Sequence, residues 1–264
     1  MKKARATSTK TAKAASTTKT PTTKTPTTKA PKTSRAERRA LRTEEIRSTA
    51  WQLVEEGGLA ALTTTELARR TDAALGALYR FFPGGKQEVI AALQTEAVKQ
   101  LHAELSAARA RALSAATSTA ARLWGPLVAL ADVWFAEARQ HPARYRLIDE
   151  ILSSPEAVHS DDAARALEGG ANALLAIVKA CVDDVVAAGV VGADDVHVRR
   201  FPWALWAALH GVSHFQKRDR IVDPDVVAAR VAASLVVVLL RGLGASAADV
   251  DSAFAAVAPT ALVR

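Results

Sequence analysis

Residues 62–83 read LTTTELARRTDAALGALYRFFP, and this stretch decides the fold of the chain. Any of the threonines at 63–65 can cap a first short helix, whose apolar side carries Leu67 and Ala68. Residues 71–73 favour a turn, and a second short helix follows from residue 74 to residue 82, before a proline and two glycines. The stretch therefore predicts two short helices joined by a tight turn.

A longer amphipathic segment precedes this pair of helices. Its apolar residues between 46 and 54 share one helical face, Thr43 offers a start, and Gly57 with Gly58 stops the helix. Two short helices braced by a third form the unit that presents a recognition helix to the major groove of DNA. Residues 43–82 therefore predict a helix-turn-helix that binds double-stranded DNA.

In combination, residues 62–70, residues 76–83 and Lys86 make the chain resemble the tetracycline-repressor-like (TetR) family of transcriptional regulators. The resemblance is close over the head alone, because the rest of the chain is similar only in length and helical layout. It implies an all-helical homodimer in which a small DNA-binding head stands on a larger body. It also implies an effector cavity in the middle helices and a dimer joined by the last two helices of each chain.

Carried over by position, the resemblance implies which residues contact DNA. It assigns Thr64 and Tyr79 to backbone phosphates, and Thr65 and Arg80 to phosphates or base edges. Lys86 is assigned to a phosphate at the start of helix four. Three residues stand at the front of the recognition helix, namely Leu75, Gly76 and Ala77. Leu75 and Ala77 have no hydrogen-bonding side chain, so they can touch a thymine methyl and little else. An additional residue before Lys86 leaves its placement open by one position. Asp72 stands where the family usually has a turn glycine, and Asp tolerates a left-handed conformation there.

Base readout then falls to Thr65, Arg80 and a basic arm made of Arg35, Arg38, Arg39 and Arg42. Two interpretations of this arm are open at the level of the sequence. In the first, the arm enters a minor groove of the DNA. In the second, it is the solvated start of a helix.

The composition supports an all-α fold. The chain has 264 residues, of which 49% are hydrophobic and only 5% aromatic, and no stretch alternates with period two for long enough to build a sheet. Helical segments beyond helix four are predicted at residues 119–140, 145–153, 161–188, 202–217 and 225–243. We therefore divide the chain into a tail at 1–34, a DNA-binding head at 35–91 and an effector-binding and dimerisation body at 92–264.

The formal net charge of +8 is concentrated in the tail. Nine of the 35 basic residues precede Arg35 with no acid among them, which leaves 26 basic against 27 acidic residues in the remainder. A segment of Lys, Thr, Ala, Ser and Pro cannot offset its ordering entropy, so we expect disorder there. The tail is either a loose clamp on DNA phosphates or a solubilising segment with no specific role.

Aromatic and apolar residues are concentrated in the middle helices, where the resemblance places the effector. The candidates for ligand contacts are Trp124, Trp134, Phe135, Tyr145 and Ile148. They indicate a small apolar or aromatic effector. Plain core is the alternative interpretation, because core aromatics recur at the same helical spacing.

Two late helices are candidates for a homodimer interface, because they are more apolar than a single core stripe requires. Their interface residues are Trp203, Trp206, His210, His214, Val227, Val231, Leu235 and Val238. The alternative is a central core helix in a monomer. His210 and His214 are four residues apart, which could hold a metal, but no glutamate-containing zinc motif or nearby fixed acid accompanies them. We therefore interpret them as an interface pair and expect no metal site.

No residue pattern indicates catalysis or a cofactor. The sequence has no nucleophile elbow and no P-loop, residues 242–244 fit a helix C-cap better than a dinucleotide loop, and Cys181 lacks a neighbouring histidine. The N-terminus has no apolar signal segment, and the longest apolar run, at 231–240, is half of the ~20 residues that a membrane span requires. We expect a cytoplasmic, nucleoid-associated protein with a buried thiol and no membrane partner.

The sequence thus predicts a ligand-responsive transcriptional regulator, most simply a repressor, that binds a palindromic operator as a homodimer. One alternative is an architectural nucleoid protein whose Lys-rich tail dominates DNA binding. Another is an all-helical enzyme or transport-type ligand binder that never meets DNA.

Overall fold

A computed structural model describes residues 34–153, 161–214 and 224–262, and these residues form helices and no strand. Their ten helices are α1 (Arg35–Ala61), α2 (Thr64–Arg70), α3 (Leu75–Phe81), α4 (Gly85–Ala115), α5 (Thr119–Gln140), α6 (Pro142–Ser153), α7 (Asp161–Ala187), α8 (Val196–Ser213), α9 (Pro224–Gly242) and α10 (Ala247–Val257). The predicted all-α fold is confirmed. The predicted tail lies outside the described residues, except for Ser34.

The first helix begins at Arg35, well before the predicted start at Thr43. Ser34 caps it, because its hydroxyl accepts a hydrogen bond from the Glu37 amide at 3.0 Å while the Glu37 carboxylate accepts one from the Ser34 amide at 2.6 Å. The prediction missed this start because no apolar stripe marks residues 35–42. The helix is interrupted at the predicted stop, where Gly58 has a φ of 68°.

The helix-turn-helix follows the local rules that the sequence indicated. The Thr63 hydroxyl caps α2 by accepting a hydrogen bond from the Glu66 amide at 3.1 Å. In the turn, Asp72 takes the left-handed conformation with a φ of 47°. Five apolar residues form the core of the head and are buried, namely Leu62, Leu67, Ala68, Leu78 and Phe82.

The fifth helix lies at the centre of the body and contacts every other helix from α4 to α10. Its bounds match the predicted segment, and it is buried on several faces, as expected of an apolar helix inside a bundle. The fourth helix runs out of the head and packs against α5, α6 and α7. One continuous helix therefore joins the head to the body.

Three body helices depart from the predicted bounds. α6 begins at Pro142, three residues before the predicted start. α8 begins at Val196, because the Asp195 side chain accepts a hydrogen bond from the His197 amide at 2.7 Å. The predicted start of α8, Pro202, lies inside the helix. α10 is missing from the sequence prediction, although Ser246 and Asp249 form a capping box at its start. Among the described helices, none is both long enough and apolar enough to cross a membrane.

Candidate functional site

The outer side of the head carries most of the predicted DNA contacts. The exposed members of that set are Thr65, Leu75, Gly76, Tyr79, Arg80, Arg35, Arg38 and Arg39, and Thr64, Ala77, Lys86 and Arg42 are partly exposed. Leu67 and Leu78, on the same two helices, are buried in the head. The helix pair therefore presents hydroxyl, phenol and guanidinium groups outward, and such groups bind phosphates.

Tyr79 is positioned by the first turn of α4. Gly85 has a φ of 60°, and a Cβ atom there would lie 3.0 Å from Cε1 of Tyr79, so the close contact requires glycine. The tyrosine nevertheless remains 44% exposed. Gly85 thus holds the phenol at the surface while keeping it packed against α4.

Lys86 has a partner within the head itself. Its ammonium donates a 3.0 Å hydrogen bond to the carbonyl of Leu59, just after the break in α1 at Gly57 and Gly58. The lysine side chain is half-buried. Lys86 therefore joins α4 to the end of α1, and its contact with a DNA phosphate stays a prediction.

The basic arm forms the first turns of α1. Arg39 donates a 3.2 Å hydrogen bond to the carbonyl of Arg80, and its guanidinium lies 5.5 Å from the ring centroid of Phe81. Arg42 donates a hydrogen bond to the carbonyl of Thr71 in the turn. The arm is therefore helical, as in the second interpretation of the sequence, but Arg39 and Arg42 contact the helix-turn-helix rather than solvent alone. Its entry into a minor groove stays a prediction.

Two other arginines of the head are neutralised by acids. Glu66 accepts hydrogen bonds from Arg69 at 2.7 Å and from Arg70 at 2.8 Å, and Arg70 also pairs with Glu56 at 2.7 Å. The Arg69 guanidinium, followed by that of Arg70, lowers the pKa of Glu66 to about 2, so this carboxylate stays ionised at neutral pH. The four charges cancel, so Arg69 and Arg70 add little to the positive potential of the head.

An apolar cavity lies in the body between α4, α5, α6, α7 and α8. Its volume is about 50 Å³, and every residue that lines it is apolar. Its walls include Val98, Leu105, Leu130, Trp134, Ile148, Leu174, Trp206 and Leu209. A site of this composition favours an apolar ligand, because a charged group there would lose its hydration without a partner.

The five predicted ligand residues divide between this cavity and the core. Trp134 and Ile148 line the cavity. Trp124 and Phe135 belong to the core, where they are 2% and 0% exposed. Tyr145 lies beside His210 with 6.2 Å between the ring centroids, and burial raises the pKa of its phenol to about 12. Helical spacing could not separate these groups, because core and cavity residues recur at the same interval.

A buried ion pair ties three helices of the body together. Arg144 of α6 donates two short hydrogen bonds to Glu137 of α5, and the two side chains are only 8% and 1% exposed. Arg144 also donates to Glu104 at 2.8 Å and to Gln100 at 3.1 Å, both on α4. Sequence reasoning missed this group, because no local pattern connects α4 with α6.

The histidine pair of α8 has an acidic neighbour. Oδ1 of Asp149, on α6, lies 3.0 Å from Nε2 of His210 and 3.3 Å from Nε2 of His214. The expectation that no fixed acid stands near this pair was therefore wrong. The sequence carries no signal for the contact, because Asp149 is remote in the chain and only folding brings α6 to α8.

Two adjacent helices, α8 and α9, expose apolar side chains. Trp203 is 54% exposed, Val231 40% and Val238 65%. The other predicted interface residues with described side chains, Trp206, His210, His214 and Leu235, are partly exposed. Val227 belongs to α9, but its side chain lies outside the described part of the structure. The contribution of these side chains to a dimer interface stays a prediction.

The thiol of Cys181 is buried, as predicted. Burial raises its pKa to about 11, and its Sγ lies 3.4 Å from the Ile177 carbonyl, to which it donates a weak hydrogen bond. The group is therefore a thiol rather than a reactive thiolate at neutral pH.

Solved structures share this fold. A protein of unknown function from Rhodococcus sp. RHA1 is 22% identical, with a TM-score of 0.60 over 77% of this chain and 96% of that one. A bacterial regulatory protein in the tetR family from Rhodococcus RHA1 is 19% identical, with a TM-score of 0.54 over 78% and 98% of the two chains. The transcriptional regulator FadR from Bacillus subtilis, in complex with stearoyl-CoA, is 15% identical, with a TM-score of 0.55 over 75% and 98%.

The sequence matches two family descriptions, one in the head and one in the body. "Bacterial regulatory proteins, tetR family" matches residues 46–93, and "Tetracyclin repressor-like, C-terminal domain" matches residues 127–239. The two matches together span more than half of the chain. No curated protein matches the chain in sequence. The chain belongs to the tetR family of bacterial transcriptional regulators, with a helix-turn-helix DNA-binding head and a ligand-binding C-terminal body.

Proposed function

We propose that the protein is a ligand-responsive repressor that binds a palindromic operator as a homodimer. The observation that carries this proposal is the course of α4. Its first turn contacts Tyr79 and the Leu59 carbonyl in the head, while Val98 and Leu105 further along the same helix line the cavity. A ligand that displaces α4 would therefore move the recognition helix with it.

We assign DNA binding to the head at 35–91, and effector binding and dimerisation to the body at 92–264. The exposure of Tyr79, Arg80 and Thr65 supports phosphate and base contacts by these side chains. Arg39 supports them indirectly, because it holds the Arg80 carbonyl at 3.2 Å and so fixes the end of α3. Leu75 and Ala77 would contribute apolar contacts in the major groove.

The exposed apolar side chains of α8 and α9 support the homodimer. Trp203, Val231 and Val238 would be buried between two copies of these helices, in a bundle of four. A two-fold dimer places two recognition helices on one face, and two half-sites about one DNA turn apart then form a palindrome.

The effector is an apolar molecule, because the cavity offers only apolar contacts. The cavity volume of about 50 Å³ is far below the roughly 300 Å³ of a small ligand pocket, so binding must push the surrounding helices apart. The Bacillus subtilis FadR structure holds stearoyl-CoA, whose acyl chain is apolar. Long-chain acyl compounds are therefore the first class to test.

The mechanism is a shift between two spacings of the heads. The conformation with the small cavity fits the operator, and the expanded conformation, selected by the ligand, does not. The ligand lowers DNA affinity only by as much as it prefers the expanded conformation. Binding of the effector and release of DNA are then coupled, because both depend on the same equilibrium between the two conformations.

The first experiment is a selection of genomic DNA fragments at moderate salt. It uses the purified full chain and, in parallel, a variant that begins at Arg35. Enrichment of the same palindromic site by both proteins supports the repressor. If the full chain enriches no particular sequence and the shortened protein binds no DNA, the tail dominates and the protein is an architectural DNA-binding protein instead.

The effector is tested by tryptophan fluorescence, because Trp134 and Trp206 line the cavity. We expect acyl or aromatic effectors to quench the full chain and to release the selected operator at the same concentrations. The Trp134→Phe variant should lose part of the quenching, and the matched Trp124→Phe variant, altered in the core, should keep it. Operator release that is unaffected by filling the cavity with Leu174→Phe would contradict the assignment.

The dimer is tested by light scattering after size-exclusion chromatography. Val238→Glu places a charge on the proposed interface and should yield monomers with much weaker operator binding. The control variant Ala255→Glu places the same charge on the exposed side of α10 and should remain dimeric. A monomeric wild-type chain that still binds the palindrome would overturn this assignment.

A further inference from the structure

We propose that Asp149, His210 and His214 bind a divalent transition-metal ion, of which Zn²⁺ is the best match. The three residues offer one carboxylate oxygen and two imidazole nitrogens, and these ligand atoms all lie within 4.8 Å of one another. Nitrogen ligands from histidine with a carboxylate oxygen form a donor set typical of zinc, cobalt and nickel sites. The ion would join α6 to α8.

The distances between the ligand atoms suit one shared ion. Zn²⁺ bonds to histidine nitrogen and to carboxylate oxygen at about 2.0–2.1 Å, which in a tetrahedron separates neighbouring ligand atoms by about 3.3 Å. Oδ1 of Asp149 lies 3.0 Å from Nε2 of His210 and 3.3 Å from Nε2 of His214. Small rotations of the side chains would therefore admit an ion without a change of the backbone.

The orientation of His214 suits a metal ligand, because a neutral ring in this tautomer has no proton to donate to Asp149. Its Nδ1 lies 3.0 Å from the backbone carbonyl of His210, and because a carbonyl can only accept, Nδ1 carries the proton. In a neutral ring, Nε2 then presents a lone pair, and it faces a carboxylate oxygen that also only accepts. Either a second proton or a cation must lie between them.

The end of α8 sets up this orientation. The backbone amide of His214 donates to the Gly211 carbonyl, so the ring of His214, not its amide, takes the carbonyl of His210. A backbone carbonyl that fixes the second nitrogen of a histidine is the usual outer contact of a metal ligand, because it sets the tautomer and aims the ring. His210 and His214 are one helical turn apart, so both rings reach the same point.

A second cluster of possible metal ligands is already occupied by a cation of the protein. Glu104, Glu137 and His141 also bring ligand atoms together, but the Arg144 guanidinium already pairs with both glutamates of that group. A protein cation thus takes the place that a metal would need. Asp149 faces two rings instead, and these can act as ligands.

The histidine site is accessible and has room for a further ligand. The side chains of His210, His214 and Asp149 are 20%, 39% and 22% exposed. Three protein ligands leave the fourth position of a tetrahedral ion for water or for a polar group of a bound molecule. The ring of Trp206, which lines the apolar cavity, lies 6.0 Å from that of His210, so the ion would sit beside the cavity.

The test is metal uptake by the full chain without any histidine tag. Metal-free protein is titrated with ZnSO₄ in a calorimeter, and the metal content after dialysis is measured by mass spectrometry. We expect one ion per chain, and about tenfold or greater loss of affinity in His214→Ala and in Asp149→Asn, since even outer contacts of a metal ligand are worth that much. His197→Ala, which removes an exposed histidine from the same helix, should bind as the wild type does.

X-ray absorption on the Zn²⁺-loaded wild type gives a second readout that needs no variant to fold. Imidazole scattering from two histidines together with light-atom oxygen ligands supports the site. Absence of uptake would mean that the group is a proton-bridged ion pair. Uptake that His214→Ala and Asp149→Asn leave unchanged would place the ion elsewhere, and either result overturns the proposal.

Discussion

The ion pairs of the head are exposed, whereas the central ion pair of the body is buried. In the head, Glu66, Arg69 and Arg70 lie at the surface, with side chains 29–69% exposed. In the body, Arg144 and Glu137 are almost fully buried and link α6 to α5. Exposed pairs contribute little to stability because water competes for them, whereas a buried charge that loses its partner is costly. The ion pairs of the head therefore neutralise surface charge, whereas the buried pair of the body holds its helices together.

The sharpest way to break this comparison is to remove one cation from each region. Arg144→Leu leaves the Glu137 carboxylate buried without its partner, and we expect it to lower the free energy of unfolding by about 3–5 kcal/mol. Arg70→Leu, the matched change in the head, should leave the free energy of unfolding nearly unchanged. Urea unfolding followed by circular dichroism measures both. Equal losses in the two variants would show that burial does not separate the pairs.

A second variant sharpens the same point within the body. The double variant Glu137→Leu, Arg144→Leu removes both buried charges, and it should recover much of the stability that Arg144→Leu loses. If the double variant is as unstable as Arg144→Leu, the loss lies in packing rather than in the unpaired carboxylate.

The next effect concerns DNA affinity, which should depend on an unpaired arginine of the head but not on an arginine that is paired with an acid. Arg80→Ala removes a cation with no acid paired to it in the described contacts, and we expect at least roughly tenfold weaker operator binding, as for a charged hydrogen bond worth about 1.5–3 kcal/mol. The slope of log affinity against log salt should fall by about 0.9 for each phosphate contact that is lost. Arg69→Ala is the control, because Glu66 already neutralises Arg69. Fluorescence anisotropy with the selected operator distinguishes them, and equal losses would argue against selective contacts.

A smaller effect tests whether backbone conformation in the turn stabilises the head. Asp72 has a φ of 47°, which is strained for a β-branched residue. Asp72→Val should therefore lower the free energy of unfolding by about 1–2 kcal/mol, whereas Asp72→Gly should be close to neutral. Thermal unfolding of the three proteins provides the measurement. A variant with valine as stable as the wild type would mean that the turn readily takes another conformation.

The smallest effect lies in the body, at the start of α10. Ser246→Ala removes a hydroxyl that accepts a 3.1 Å hydrogen bond from the Asp249 amide, and it should cost about 1 kcal/mol. Ser252→Ala, on the same helix, is a suitable comparison, since it leaves the cap intact. Urea unfolding of both variants would show whether the cap matters more than the Ser252 contact with Ser118.

The head could be predicted from the sequence because its structure follows from neighbouring residues. Thr63 caps α2 and Asp72 turns the chain, and both effects act within a few positions. The body was predictable only as a set of helices. Asp149 contacts His210, and Arg144 contacts Glu104, because helices that are far apart in the chain pack together. A single sequence carries no local signal for such packing.

The same distinction applies to the ligand residues. Trp134 and Trp124 lie on one helix and are both buried, yet only Trp134 belongs to the cavity wall. The difference depends on how α4 to α8 pack around α5, not on residue type. The contact of Arg39 with the Arg80 carbonyl was equally out of reach, because it joins two helices at residues 41 positions apart in the chain.

The docked start of α1 also fixes where the lysine-rich segment leaves the head. Arg39 contacts the end of the recognition helix, and Ser34 stands about 8 Å further along the helix axis at 1.5 Å per residue. The segment before Ser34, which carries nine cations, is covalently joined to the head at this point. If these cations bind phosphates, the covalent link would raise their effective concentration at a bound operator, as it does for the second arm of a bivalent ligand. The segment would then prolong residence on the operator without taking part in its selection.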